Sequence, residues 1–247
     1  MATITLTRPE KRNAISQQMI EELLSALDEV EKSPARVLIL TGEGKAFCAG
    51  MDLETLSGLA KLSREENLAD SKRTARMFRR LYFYSKPTIA AVNGAAIAGG
   101  TGIATMCDFT LAAPEAKFGY TEVKIGFIPA LVSVFLRRQV GEKRARDLLL
   151  TGRIFGAAEA QALGLVNEIV PPEKLMARAR ELAASLLESS PTSLSRTKLL
   201  LRRCAEAEMD GEIELAMQEN AAIRSTADFK EGLAAFLAKR KPVWRGN

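Results

Sequence analysis

Histidine is absent from all 247 residues. Its absence removes the commonest general base, every Ser-His or Cys-His nucleophile pair and most zinc sites. Proton transfer is left to Asp, Glu, Lys, Tyr or Cys. Cysteine is sparse: Cys48, Cys107 and Cys204 show no metal-ligand spacing. An odd, small set argues against a disulfide framework and fits a reducing compartment. No apolar run approaches the about 18 residues a membrane span needs. The first residues follow a strand pattern rather than the basic-then-apolar form of a signal peptide. A cytoplasmic location is therefore expected, with no metal and no membrane. No run of five like charges occurs, although the net charge is +5. That mild basic excess suits a soluble surface or a phosphorylated ligand. No RNA-binding motif or interleaving of aromatic and basic residues is visible, so nucleic acid is not an expected partner.

What remains is an ordinary globular composition, 47% apolar and 26% charged. The length suits one large domain. Thr3 to Thr7 alternates as a strand. Ser16 can cap a helix reaching about Lys32, with Met19, Ile20, Leu23, Leu24, Leu27 and Val30 at helical spacing. Arg36 to Thr41 and Thr88 to Asn93 read as buried strands, and a charged helix is predicted over 64–84. Phe109 to Ala113 and a short piece over 116–119 continue the strand pattern. The alternation of strand, loop and helix predicts α/β layering with mostly parallel strands. From about Ser133 the chain turns helical. Candidate helices cover 133–139, 142–150, 157–163, 173–188, 191–207, 211–224 and 228–240, punctuated by Pro171, Pro191 and Gly211 among others.

Two glycine-bearing turns follow buried strands. One is Lys45-Ala-Phe-Cys-Ala-Gly-Met-Asp-Leu53. The other is Asn93-Gly-Ala-Ala-Ile-Ala-Gly-Gly-Thr-Gly102, which opens a helix. Glycine lets a ligand approach backbone N–H groups, and a helix start supplies unpaired donors. Two such donors aimed at one point would make an oxyanion hole. Neither turn has the spacing of a phosphate loop or a dinucleotide-binding turn.

Together these segments resemble the crotonase (enoyl-CoA hydratase/isomerase) family. Ile4-Thr-Leu-Thr-Arg-Pro-Glu-Lys-Arg-Asn-Ala-Ile15 is similar to its amino-terminal signature. Val37 to Leu53 and Ala90 to Gly100 resemble its two oxyanion segments. Cys107-Asp108, Ala116-Lys-Phe-Gly119, Leu150-Thr-Gly-Arg153, Ala160 to Val166 and Asp228 to Phe236 keep the family order. The resemblance implies a crotonase-like (ClpP/crotonase) α/β fold. That fold is a ββα superhelix with a helical C-terminal region. The expected division is a spiral core over 1–190 and a trimerisation region over 191–247, both within one domain. A homotrimer or hexamer is implied. The resemblance implies an acyl-CoA substrate and no separate cofactor, because coenzyme A enters as part of the substrate.

It also implies roles. The amides of Met51 and Gly99 would hold the thioester oxygen. Ala49, Gly50, Asp52, Leu53 and Gly100 would line the substrate and CoA site. Lys11 stands where the family places a cation near the CoA phosphates. Phe236 and Lys239 are candidates to reach the CoA of a neighbouring subunit.

Family hydratases carry two glutamates, one to activate water and one to protonate the α-carbon. The second is matched by Glu122, in Phe118-Gly-Tyr-Thr-Glu122. Gly102 stands at the position of the first. One carboxylate suffices to move a proton from the α-carbon to the γ-carbon of a 3-enoyl thioester. Double-bond isomerisation with Glu122 as sole base is therefore the first expectation. A hydratase, such as a methylglutaconyl-CoA-type enzyme, is the alternative, and a non-catalytic acyl-CoA or RNA-binding scaffold the third. After Pro129 the family's glycine-rich stretch gives way to Ala-Leu-Val-Ser-Val-Phe-Leu136, which implies a reshaped acyl pocket. Ala130 stands where dienoyl-CoA isomerases carry an aspartate, and the nucleophilic aspartate of the dehalogenases is likewise missing. Ser133 reads as a helix cap rather than a nucleophile.

Overall fold

The computed structural model describes residues 1–246. Three successive ββα turns build its core. In the first, β2 (Leu38–Gly42) and β3 (Ala46–Cys48) lead into α2 (Leu53–Leu59) and α3 (Arg64–Tyr82). In the second, β4 (Thr88–Val92) and β5 (Ala95–Ile97) lead into α4 (Gly99–Thr105). In the third, β6 (Phe109–Ala112) and β7 (Lys117–Gly119) lead through a 3-10 turn, Glu122–Ile125, into α5 (Ala130–Val140) and α6 (Glu142–Thr151).

Each turn adds one strand to each of two sheets. The larger sheet has the order β1-β2-β4-β6-β9, with β1 at Ala2–Leu6 and β9 at Glu168–Ile169, and all its pairings are parallel. The smaller has the order β3-β5-β7-β8, parallel except where β8 (Ile154–Gly156) closes it antiparallel to β7.

Strand alternation explains why the large sheet reads as uninterrupted apolar sequence. Leu38, Leu40, Ala90, Val92 and Ala112 face the main core. Val37, Ile39, Ile89, Ala91 and Leu111 face the other way, against Leu175, Ala179 and Ala183 of α8 (Pro172–Glu188). Both faces are covered, so no polar alternation survives. Helix α1 (Gln17–Lys32) starts where expected: Ser16 accepts the Met19 N–H at 3.2 Å. Ser63 and Glu66 cap α3 reciprocally.

Several sequence readings are corrected. The helices expected over 191–207 and 211–224 are one helix, α9 (Pro191–Ile223), and Gly211 lies inside it with open space where a Cβ would stand. Helix α5 begins at Ala130, so Ser133 is no cap. Its hydroxyl donates back to the Ala130 carbonyl at 2.7 Å. The segment 45–53 contains a strand, β3, and not only a loop. Strands β5, β8 and β9 are additions to the expected elements.

The carboxy-terminal helices fold back on the spiral. Helix α9 packs on α3 and α5, and α10 (Ala227–Leu237) packs on the 3-10 turn that carries Glu122. That last approach is close: a Cβ on Gly232 would stand 2.4 Å from the Ile125 carbonyl carbon, so only glycine fits. Between helix α2 and helix α10, Leu56, Leu59, Phe127, Phe229 and Leu233 form a separate apolar cluster under the turn. No helix among the described residues is long and apolar enough to cross a membrane.

Candidate active site

The small sheet decides where the chemistry can be. Strands β3, β5 and β7 are adjacent and parallel, so their carboxy-terminal ends lie at one edge. Met51 follows three residues after β3, Gly99 two after β5, and Glu122 three after β7. All three line the same cavity of about 520 Å³.

Local bonding leaves the two amides unpaired. Around Met51, the Ile15 N–H donates to the Gly50 carbonyl (2.7 Å) and the Asp52 N–H to the Ile15 carbonyl (2.8 Å). That bridge uses the neighbours of the Met51 N–H and not the group itself. Gly99 is the first residue of α4, whose N–H has no intrahelical acceptor. Among the described residues, neither amide donates a hydrogen bond. Ala98 holds the turn in a strained geometry, φ 53° and ψ −123°, anchored by its N–H on the Gly119 carbonyl at 2.7 Å. Such outliers persist where the surroundings over-determine them. Gly100 lets α4 press on β3, since a Cβ there would stand 2.1 Å from the Cys48 carbonyl oxygen. Thr101 ties α4 to β7: its Oγ1 lies 2.6 Å from the Ala96 carbonyl oxygen and accepts the Gly119 N–H at 3.1 Å. The two amide-bearing turns and the Glu122 segment are thus held as one unit.

Glu122 is buried, and its Oε2 has no hydrogen-bond partner. Burial pushes its carboxyl up from 4.5 to about 7, partly offset by its own backbone N–H. A carboxyl titrating there is both a usable base and a usable acid near neutrality. The other glutamate lining the cavity, Glu10, is exposed at its mouth, and none stands at position 102. A Cβ on Gly102 would lie 2.8 Å from Val132 Cγ1, on a side chain stiff at χ1. Helix α5, whose first turns are the altered stretch after Pro129, fills the volume a glutamate at position 102 would need. Ala130, Leu131 and Val132 line the cavity there and give it a bulky apolar wall.

The other candidate residues divide. Lys11, Ala49, Asp52, Leu53 and Phe236 line the cavity. Lys11 is at the mouth, its Nζ 3.2 Å from Glu54. The Asp52 carboxylate is committed to structure: it caps α2 through the Glu54 N–H (2.9 Å) and pairs with Arg8 (3.0 Å). Gly50, Gly100 and Lys239 are not among the lining residues. Gly50 serves the turn instead, with φ 88° and a Cβ position 3.0 Å from the Ile97 carbonyl oxygen. Lys239 is exposed just beyond α10. Leu131 and Val132 lie in the stretch after Pro129 that the sequence tied to a reshaped acyl pocket, whereas sequence reasoning missed Thr74, Phe78 and Asn220, which come from α3 and α9. Their only signal was helical periodicity, which marks a buried face without saying whether it meets core or cavity.

Such an arrangement can bind a carbonyl oxygen at two converging N–H groups and exchange a proton with the carbon beside it. The enoyl-CoA hydratase/isomerase family model matches residues 1–247. A Thermus thermophilus protein provisionally named enoyl-CoA hydratase is 51% identical over 243 residues, 98% of this chain and 96% of its own. The crotonyl-CoA hydratase of Syntrophomonas wolfei is 34% identical, covering 98% of this chain and 93% of its own. The crystal structure of an enoyl-CoA hydratase/isomerase from Xanthobacter autotrophicus superposes with a TM-score of 0.88 at 31% identity, covering 96% of this chain and 93% of that one. By sequence over its full length and by fold, this chain belongs to the enoyl-CoA hydratase/isomerase family of enzymes.

Proposed function

We propose that the enzyme adds water across the double bond of a 2-enoyl-CoA thioester, using Glu122 as its only acid–base group. The observation that carries this reading is the convergence of a buried, unpartnered carboxylate and two unpaired amides on one cavity. Ionised Glu122 takes a proton from water as the water oxygen bonds the β-carbon. The double-bond electrons move to the thioester oxygen, where the Met51 and Gly99 N–H groups hold the enolate. Donors so placed are typically worth about 3–4 kcal/mol each. Protonated Glu122 then delivers its proton to the α-carbon. Both parts of water end on the substrate and the carboxylate is restored. Lys11, Ala49, Leu53 and Phe236 are proposed to receive the CoA portion, from their place along the cavity wall and mouth.

Isomerisation of a 3-enoyl thioester, the first expectation from the sequence, becomes the second reading. Its support is Gly102, which leaves Glu122 as the one buried carboxylate on the cavity without an ion-pair partner, since Asp52 is paired with Arg8 and Glu10 is exposed at the mouth. The same carboxylate would take a proton from the α-carbon and return it at the γ-carbon. Hydration is preferred because relatives named for a single activity, those of Syntrophomonas wolfei and Clostridium acetobutylicum among them, are called hydratases. The purified protein should be mixed separately with crotonyl-CoA and with 3-hexenoyl-CoA while the conjugated thioester absorbance is followed. Falling absorbance with crotonyl-CoA is the expected result. Rising absorbance with 3-hexenoyl-CoA and no change with crotonyl-CoA would reverse the order of the two readings.

A further inference from the structure

The cavity has two unlike ends. Glu10, Lys11 and Arg12 are exposed at one, whereas Thr74 and Asn220 are buried at the other. Helix α3 sets the spacing between that floor and the reacting atoms. Phe78 Cζ lies 3.4 Å from the Cβ position of Gly99, so Phe78 marks the amide end. Thr74 is one helical turn away from it, about 5.4 Å along the axis. Asn220 is tied to α3 through Arg224. The arginine donates to Asn220 Oδ1 at 2.7 Å, to Asp70 at 2.8 Å and to Asn67 Oδ1 at 3.1 Å.

Asn220 is only 5% exposed, and Arg224 fixes its amide with Oδ1 turned toward the guanidinium. Its Nδ2 therefore points away from the arginine. Among the described residues Nδ2 has no acceptor, yet it is not one of the sealed unpartnered atoms, as Arg224 Nε is. The residue lines the cavity, so the donor opens onto it. Apart from Thr74, whose hydroxyl donates to the Asp70 carbonyl at 3.1 Å, and the Glu122 segment, the cavity away from its mouth is lined by apolar side chains such as Ile15, Phe78, Leu131 and Val132. A plain hydrocarbon tail would bury this donor without a partner, at a cost of about tenfold or more in affinity. The charges behind the floor add a preference. Asp70 lies 2.8 Å from Arg224 and 3.5 Å from Arg73, two guanidiniums to one carboxylate.

We propose that the acyl group taken by this enzyme carries an oxygen at its far end, which accepts a hydrogen bond from Asn220 Nδ2. A carboxylate suits the floor better than a hydroxyl, because of the surplus guanidinium charge. The inference rests on the reading of this cavity as an acyl-CoA site, and it makes Asn220 a specificity-determining residue.

Saturated thioesters cannot be hydrated, so their binding reads the pocket whatever the reaction. Dissociation constants should be measured by calorimetry for hexanoyl-CoA, 6-hydroxyhexanoyl-CoA and 5-carboxypentanoyl-CoA. At least one oxygen-ended thioester is expected to bind tenfold or more tighter than hexanoyl-CoA, with the carboxylate tightest. Asn220→Asp keeps an acceptor for Arg224 but replaces the free donor, and should cut the carboxylate's advantage at least tenfold. Equal or tighter binding of hexanoyl-CoA to the wild-type protein overturns the proposal while leaving the acyl-CoA site intact. That comparison decides the matter even if the variant does not fold. Failure of all three to bind would overturn the acyl-CoA reading itself, and this inference with it.

Discussion

In the proposed hydration Glu122 has to be neutral and charged in turn, and its burial supplies both within reach of neutral pH. With the carboxyl pushed up to about 7, the base form needed to activate water is lost below that pH. We expect kcat/KM to fall about tenfold per pH unit below about 7, measured with crotonyl-CoA. The same shift acts on stability. The folded state prefers the protonated carboxyl, so this contribution is complete below the unfolded value of about 4.5. It is lost as pH rises through about 7. Glu122→Gln, neutral at every pH, should therefore gain on the wild type between pH 5 and pH 8, by roughly 3 kcal/mol at most. Urea unfolding at the two pH values checks this, and an unchanged difference would argue against the shifted carboxyl. Glu122 and Gly102 were legible in the sequence because both fall in segments that resemble the family's motifs. Asn220 and Thr74 were not, since a side chain from a distant helix enters the site only through tertiary packing.

At the scale of elements, long periodic segments were readable and short ones were not. Helices α1, α3 and α8 lie within two residues of their expected ends. Strands β5, β8 and β9 have only three, three and two residues. Such strands exist because neighbours in the sheet pair with them, and so they carry no pattern of their own. Gly211 misled in the opposite direction. It carries the usual sign of a helix end, yet α9 runs through it, held on both sides by contacts to α3 and α5. Since nothing crowds a Cβ there, Gly211→Ala should stabilise the protein by about 0.8–1 kcal/mol through helix propensity. Thermal unfolding should show a rise of roughly 2–4 °C. A fall would mean that the helix needs the glycine to bend.

The whole molecule raises a question of assembly. The buried residues of α9 begin only at Met209. Its first half exposes Leu199, Leu200 and Leu201, the last two at 62% and 66%. A helix half with leucines in solvent suits a partner subunit. We propose that residues 191–247 mediate a trimer or hexamer, as the family resemblance implied. Sedimentation should give a mass three or six times 26.9 kDa, whereas a monomer would remove that role.

The division of labour inside one chain is the central claim: two amides hold the developing charge, and one carboxylate moves the protons. The most direct test is turnover of crotonyl-CoA by Glu122→Gln, with the affinity for the thioester measured on the same preparation. The account requires hydration to fall at least a thousandfold, on the order of what a positioned acid–base group contributes, while the thioester still binds. Hydration at the wild-type rate would show that another group handles the protons, and would contradict the account.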